Sequence, residues 1–170
     1  MPSQNDYNNV PLLTEIVENN VPVSERIFGD GFQFSPTSFQ SFESENVLIK
    51  NVHITNCSFD KGNDCIAIKS GRDNDGRSVG IASENIVVEN CIMKDGHGGV
   101  VIGSKISGGV RNVYVRNCEM NSPNLERVIR IKTNTRRGGT IENIFVKNIR
   151  VGQVKEAVLK INTHYSIYYK

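Results

Sequence analysis

The sequence contains no tryptophan, and phenylalanine and tyrosine bring the aromatic fraction to only 7%. Proteins that bind single-stranded nucleic acids usually stack bases on aromatic side chains, so this scarcity argues against that class. The formal net charge of +2 is also too small for a dedicated nucleic-acid binder, in which a strongly basic face is expected. We therefore predict no nucleic-acid partner.

Long apolar segments and a leader are missing as well. No run approaches the roughly 20 apolar residues that span a bilayer. Residues Met1 to Asp6 have neither the basic nor the apolar region of a signal peptide. These absences predict a soluble, unexported chain without a membrane partner. Its 170 residues, 38% of them apolar, fit one domain with a continuous core.

What the sequence does contain is a repeat. Each copy starts at an asparagine, alternates apolar and polar residues with period two, bends at a second asparagine and alternates again. The copies start at Asn51, Asn85, Asn112 and Asn143. A second apolar segment follows each copy at a nearly constant distance: Cys65 to Ser70, Gly99 to Ser104, Val128 to Thr133 and Ala157 to Asn162.

A repeat of this length built from short strands predicts a solenoid. We predict an all-β fold, a right-handed parallel β-helix, over residues 31–170. Residues 1–30 form a polar N-terminal segment, in which the spacing of Leu12, Leu13, Ile16 and Val17 predicts one short helix. The aromatic end, Tyr165 to Lys170, has no further coil to cover it. We therefore expect a truncated solenoid whose exposed ends promote self-association.

Stacking of the copies accounts for two sets of residues without any function. The second asparagines would superpose in a column and hydrogen-bond along the stack. These are Asn56, Asn90, Asn117 and Asn148. Cys57, Cys91 and Cys118 would form an inward column beside them, and we predict buried thiols there rather than disulfides.

One segment fits the repeat in a second register. Asn46 to Ile54 has the same pattern, but it overlaps the copy at Asn51 and has no second apolar segment of its own. We infer that sequence which should separate two rungs is absent at this point.

Three short motifs occur in order, each beside a second apolar segment. They are Gly62-Asn63-Asp64-Cys65, Asp95-Gly96-His97-Gly98 and Arg130-Ile131-Lys132. The ordered set resembles glycoside hydrolase family 28, the polygalacturonases, from about Val21 to the C-terminus. The resemblance implies inverting hydrolysis of α-1,4-linked galacturonate in pectin, with an acidic polysaccharide as partner and no cofactor or metal. Members are commonly secreted or periplasmic, while the compartment of this chain stays open.

The resemblance also implies residue roles. Asp64 matches a carboxylate that activates water, and His97 matches a histidine that tunes or orients the acid. Arg130 and Lys132 match the pair that binds the sugar carboxylate. Asn63 stands at the general-acid position, where an amide cannot donate the proton, and the family's Asn-Thr-Asp motif is absent. Losing a positioned acid or base costs roughly 10² to 10⁴ in rate, so we expect impaired catalysis.

Two alternatives stay open. The first is a catalytically inactive fragment or pseudoenzyme that binds acidic polysaccharide through a basic stretch. That stretch comprises Arg127, Arg130, Lys132, Arg136 and Arg137. The second is a β-helix pectate lyase or a purely structural solenoid. A lyase would need calcium, but Asp73-Asn74-Asp75-Gly76 is too short for a calcium loop and predicts a turn.

Overall fold

The structure, a computed structural model, describes residues 32–34, 50–60 and 63–165. The polar segment over residues 1–30, its predicted helix and the second register that begins at Asn46 lie outside the described residues. Within the described part, thirteen strands form three sheets. All of the strand pairings between neighbours are parallel.

The three sheets share one plan, in which sequence neighbours belong to different sheets. The first sheet consists of β2 (Lys50–Thr55), β5 (Ser83–Glu89), β8 (Val110–Arg116) and β11 (Ile141–Lys147). The second sheet consists of β3 (Ser58–Phe59), β6 (Ile92–Met93), β9 (Glu119–Met120) and β12 (Arg150–Val151). The third sheet consists of β1 (Phe32–Phe34), β4 (Asp64–Ile68), β7 (Gly98–Gly103), β10 (Arg127–Lys132) and β13 (Ala157–Asn162).

One turn of the chain through the three sheets is called a coil here, and successive coils stack strand on strand. This confirms the predicted parallel β-solenoid, with each repeat copy supplying the first and second sheets and each second apolar segment supplying the third. β1 pairs with β4 at Phe32 and Ile66. The third sheet therefore extends one strand beyond β4, while the sequence gap inferred near Asn46 stays a hypothesis.

Asparagine ladders turn the corners of the coils. The second asparagines adopt left-handed backbone conformations, with φ between 52° and 55°. Of the predicted column, one side-chain bond is found between the described residues: Asn148 donates to Asn117 over 3.3 Å. The first asparagines form a second ladder that the sequence analysis missed: Asn85 to Asn51 at 2.9 Å, Asn112 to Asn85 at 3.0 Å and Asn143 to Asn112 at 3.0 Å. They have positive φ as well, which asparagine tolerates better than most residues.

The core fills the inside of the coils with aliphatic side chains, methionines and thiols. Ile66, Ile86, Met93 and Met120 are completely buried. All four cysteines are free, and Cys65, Cys91 and Cys118 are buried. Burial, with the nearby charges of Asp64 and Asp95, raises the pKa of Cys65 to about 12. Of the predicted column, Cys91 and Cys118 are buried free thiols as expected, whereas Cys57 is only partly buried.

A short helix interrupts the strands after β4. The sequence predicted a turn at Asp73 to Gly76, but these residues begin helix α1 (Asp73–Val79), so the prediction of a turn was wrong. Gly76 is buried in this helix. Glycine is required there because a Cβ would lie 2.6 Å from the carbonyl carbon of Gly71. None of the described residues forms a helix with the length and apolarity needed to span a membrane.

Candidate active site

A cavity of about 340 Å³ opens along the third sheet. Its walls come from several coils and are mostly polar. The lining residues are Asn63, Asp64, Lys69, His97, Gly103, Ser104, Lys105, Arg130, Lys132 and Tyr165. All five residues singled out from the sequence, Asn63, Asp64, His97, Arg130 and Lys132, are among them. The structure therefore brings together residues up to 69 positions apart in the chain.

Strand register explains why these residues meet. Asp64 at the start of β4 pairs with Gly98 at the start of β7, so Asn63 and His97 precede matching positions. The backbone N–H of His97 donates to the carbonyl of Asn63. Glu126 and Glu156 occupy the same place before β10 and β13, and the N–H of Glu156 donates to the carbonyl of Glu126 over 2.9 Å. We call Asn63, His97, Glu126 and Glu156 the polar column.

Asp64 and Lys132 form an ion pair on the cavity wall. The ammonium Nζ of Lys132 lies 2.9 Å from Oδ2 of Asp64, and the side chains are 11% and 5% exposed. Oδ1 of Asp64 is buried and has no hydrogen-bond partner among the described residues. A buried acceptor is costly to leave unpaired, so this oxygen calls for a hydrogen-bond donor that the described residues do not supply.

His97 is held from the next coil by Glu126. Its Nδ1 lies 2.8 Å from Oε1 of Glu126, and a carboxylate can only accept, so Nδ1 carries the proton of this bond. Burial raises the pKa of Glu126, but hydrogen bonds from His97 and Arg127 outweigh it and lower that pKa overall. Arg127 also bonds Glu156 and donates to the carbonyl of His97 over 3.2 Å. The column is thus cross-linked by one buried guanidinium.

Arg130 and Lys132 share an aromatic neighbour. The guanidinium carbon of Arg130 and Nζ of Lys132 each lie 5.4 Å from the ring centre of Tyr165, within range of a cation–π contact. Tyr165 is anchored by its backbone, because its N–H donates to the carbonyl of Thr133 over 2.8 Å and Asn134 donates to its carbonyl over 2.7 Å. The ring therefore fixes one wall of the cavity beside both cations.

Two glycines near the site, Gly98 and Gly103, stand where a side chain would collide with neighbouring atoms. A Cβ on Gly98 would lie 2.4 Å from the Val101 side chain. Gly98 therefore serves packing. Gly103 has φ of 105°, and a Cβ there would lie 1.9 Å from the carbonyl oxygen of Lys132. This close approach places Gly103 in the cavity wall beside Lys132.

Comparison with known proteins identifies the family. The sequence profile of the glycosyl hydrolases family 28 matches residues 39–168. The chain belongs to this family. A probable polygalacturonase of Vitis vinifera is 33% identical over 108 residues, which cover 63% of the chain and 22% of that protein. A polygalacturonase of Ralstonia nicotianae is 32% identical over 123 residues, or 71% of the chain and 20% of that protein. The chain thus spans about a fifth of the length of these relatives.

Solved structures of two exopolygalacturonases share the fold. A hyperthermoactive exopolygalacturonase from Thermotoga maritima superposes with a TM-score of 0.70 and 43% sequence identity. The match covers 80% of the chain and 28% of that structure. A family 28 exopolygalacturonase from Yersinia enterocolitica superposes with a TM-score of 0.58 at 16% identity, over 79% of the chain and 31% of that structure. The second likeness concerns the fold alone.

The basic stretch is less exposed than the sequence suggested. Arg127 is 6% exposed and is tied to Glu126 and Glu156. Arg137 forms an ion pair with Asp73 at the start of α1. Of the five basic residues in the stretch, Arg130 and Lys132 line the cavity. Lys69 and Lys105, from earlier coils, add two further cations to the cavity lining.

Sequence reasoning missed Lys69, Ser104, Lys105, Tyr165 and Glu126. A positional signal could have found the first four, since each follows the end of a third-sheet strand by one to three residues. Glu126 could have been found because it precedes β10 as His97 precedes β7. Among the described residues, no group of three or more His, Cys, Asp and Glu side chains is arranged to hold a metal ion.

Proposed function

We propose that the cavity binds galacturonate units of pectin or oligogalacturonate and that this chain retains the remainder of a polygalacturonase site. The observation that carries the proposal is the cavity's composition. Lys69, Lys105, Arg130 and Lys132 line it together with a single carboxylate, Asp64, which is itself paired with Lys132. A cationic cavity of this kind suits a sugar that bears a carboxylate. The relatives named as polygalacturonases support the same substrate class.

The side chains divide the work between binding and chemistry. Arg130 presents a planar guanidinium that can hold a sugar carboxylate through two parallel hydrogen bonds. Its Nε is buried and has no hydrogen-bond partner among the described residues. The ring of Tyr165 provides an apolar surface for a sugar face beside it. Arg130 and Tyr165 thereby orient the sugar relative to Asp64.

Asp64 is the residue that activates the attacking water in this proposal. Lys132 holds Oδ2 of Asp64, and Oδ1 is buried without a hydrogen-bond partner among the described residues. The proposal requires that the attacking water reach Oδ1 and give it a proton. Inverting glycoside hydrolysis requires such a base on the face opposite the leaving group, together with a proton donor on the leaving oxygen. Asn63 cannot act as a carboxylic acid, so we expect hydrolysis to be slower by roughly 10² to 10⁴ than with an acid at this position.

Release of reducing ends from polygalacturonate tests the proposal. We expect slow release by the wild-type chain and none by Asp64→Ala. Glu142→Ala is the matched control, because it removes an exposed carboxylate from β11, outside the cavity. No release at high protein concentration, or equal release by the wild type and Asp64→Ala, would count against hydrolysis at this site.

A second candidate function is binding of acidic polysaccharide without turnover. The amide at Asn63 is the observation that favours it, because the cation set for binding is present while the carboxyl group for proton donation is missing. Saturable binding of oligogalacturonate without release of reducing ends would support this function. Release that depends on Asp64 would exclude it in favour of the hydrolase.

A further inference from the structure

Hydrolysis of a glycosidic bond in this cavity needs a proton donor, and the lining residues offer few. Asn63 carries an amide, and Asp64 accepts from Lys132 as an ion pair. Lysine ammonium and tyrosine hydroxyl groups ordinarily release protons only near pH 10, whereas histidine does so near neutrality. Among the lining residues that the structure describes, His97 is the side chain whose chemistry fits proton donation.

His97 also lies in the right place. Its backbone N–H donates to the carbonyl of Asn63, and the two residues precede matching positions of β4 and β7. Adjacent strands of a sheet are about 4.8 Å apart, so the imidazole stands one rung from the amide of Asn63. Both side chains line the same cavity. A proton delivered by His97 therefore enters the cavity from the side on which Asn63 lies.

Glu126 fixes which ring nitrogen faces a ligand. The carboxylate binds Nδ1 of His97 at 2.8 Å, so the second nitrogen, Nε2, is left for the cavity. The imidazole is 53% exposed, so a ligand can reach the ring. Glu126 is itself locked by Arg127, which bridges it to Glu156. The same carboxylate stabilises the positive charge of an imidazolium.

We propose that His97, oriented by Glu126, donates the proton to the leaving glycosidic oxygen in this chain. The inference rests on the proposed hydrolase function. In the step, His97 acts as an imidazolium that carries a proton on both ring nitrogens. Its Nε2–H bond breaks and a new O–H bond forms on the leaving sugar, while the bond between the anomeric carbon and that oxygen breaks. The ring is left neutral, with its remaining proton on Nδ1 beside Glu126. Water attacks the anomeric carbon and gives its proton to Asp64. Solvent then returns a proton to His97 and takes one from Asp64.

A double-mutant cycle tests the inference, because a carboxylic acid at position 63 would make His97 dispensable as a donor. In the wild-type background we expect His97→Gln to lower kcat on oligogalacturonate by roughly 10² to 10⁴. In the Asn63→Asp background we expect the same change to lower kcat less than about tenfold. Glu126→Gln should follow the same pattern as a positioning residue, since a purely structural role would lower kcat equally in both backgrounds.

The fold supplies a matched control in a second histidine–glutamate pair. His53 lies 2.6 Å from Glu89 on the first sheet, and neither residue lines the cavity. His53→Gln should leave kcat unchanged in both backgrounds, with folding checked by circular dichroism. This variant removes an imidazole that binds a carboxylate, as His97→Gln does, but it does so outside the cavity.

The other outcomes separate the inference from the function on which it rests. Equal losses from His97→Gln in both backgrounds would overturn the inference, because His97 would then act independently of the acid. Activity in Asn63→Asp together with none in the wild type would also overturn it while supporting the family 28 site. Neither hydrolysis nor binding by either protein would overturn the proposed function and the inference with it.

Discussion

Lys132 and Asp64 come from different coils, yet Nζ of Lys132 lies 2.9 Å from Oδ2 of Asp64 and both side chains are almost entirely buried. The pair links β10 to β4 across the intervening strand β7. The ion pair therefore both connects two coils and fixes two side chains that line the cavity. A change in either residue should affect stability as well as ligand binding.

Removing one partner of this pair should destabilise the protein. Lys132→Met leaves the buried carboxylate of Asp64 without its cation, and we expect the free energy of unfolding to fall by about 3 kcal/mol. Urea denaturation at neutral pH measures the loss. The double variant Lys132→Met/Asp64→Asn should lose less than the sum of the two single losses. Additive losses would show that the two side chains do not interact.

The asparagine ladder of the first sheet should contribute to stability in the same measurable way. Asn112 donates to Asn85 and accepts from Asn143, and its φ is 55°. Asn112→Ala loses two hydrogen bonds and strains a left-handed backbone, which together should cost about 3 kcal/mol. Asn112→Gly keeps the backbone free and should cost less. Equal losses for alanine and glycine would contradict the role of the backbone conformation.

Two glutamates should make stability depend on acid pH. Burial raises the pKa of Glu89, but its bonds to Arg116 and His53 outweigh this, so its pKa is lowered from 4.5. Glu126 is lowered from 4.5 likewise. A lowered carboxyl pKa stabilises the fold above the ordinary value, and the contribution disappears as the pH falls through the lowered one.

We therefore expect Glu89→Gln and Glu126→Gln to be less stable than the wild type at pH 7, by about 1 kcal/mol each. The difference should shrink as the pH falls below 4.5, the ordinary carboxyl value. Urea midpoints at several pH values test this, with the exposed Glu142→Gln as control. A difference from the wild type that is independent of pH would contradict the assignment.

Self-association through the solenoid ends stays a prediction, and β13 gives it a surface. In the described part of the chain β13 is an edge strand, and Val158, Leu159 and Ile161 are 53%, 57% and 60% exposed. Exposed apolar edges favour association. Sedimentation should show concentration-dependent oligomers that Leu159→Glu/Ile161→Glu reduces and Thr163→Glu does not. A monodisperse monomer at high concentration would contradict the prediction.

The periodic features of the fold were predictable from sequence because stacking repeats them. The copies at Asn51, Asn85 and Asn112 gave the strands of the first sheet within a few residues. Helix α1 was missed because Asp73, Asn74 and Gly76 are weak helix formers. Tertiary contacts, rather than intrinsic helix propensity, stabilise it. One such contact is the bond from Arg77 to the carbonyl of Arg136 at 2.7 Å.

The residues of the site that stand in short sequence motifs were predictable. The contacts between side chains of different coils were not. Asp64, His97, Arg130 and Lys132 stand in short motifs and line the cavity together. Glu126 lies 29 residues after His97, and no local spacing reveals that its carboxylate meets Nδ1 of that ring. Arg127 looked like part of a basic stretch, but its ion pair with Glu156 forms only because β10 and β13 are adjacent.

The central claim is that this cavity recognises galacturonate by charge, and calorimetric titration with trigalacturonate tests it most directly. We expect saturable binding that weakens as salt is raised and that falls at least tenfold in Arg130→Gln. Lys147→Gln, which removes an exposed cation from β11, should bind as the wild type does. Absence of saturable binding, or equal affinity of the wild type and Arg130→Gln, would contradict the account.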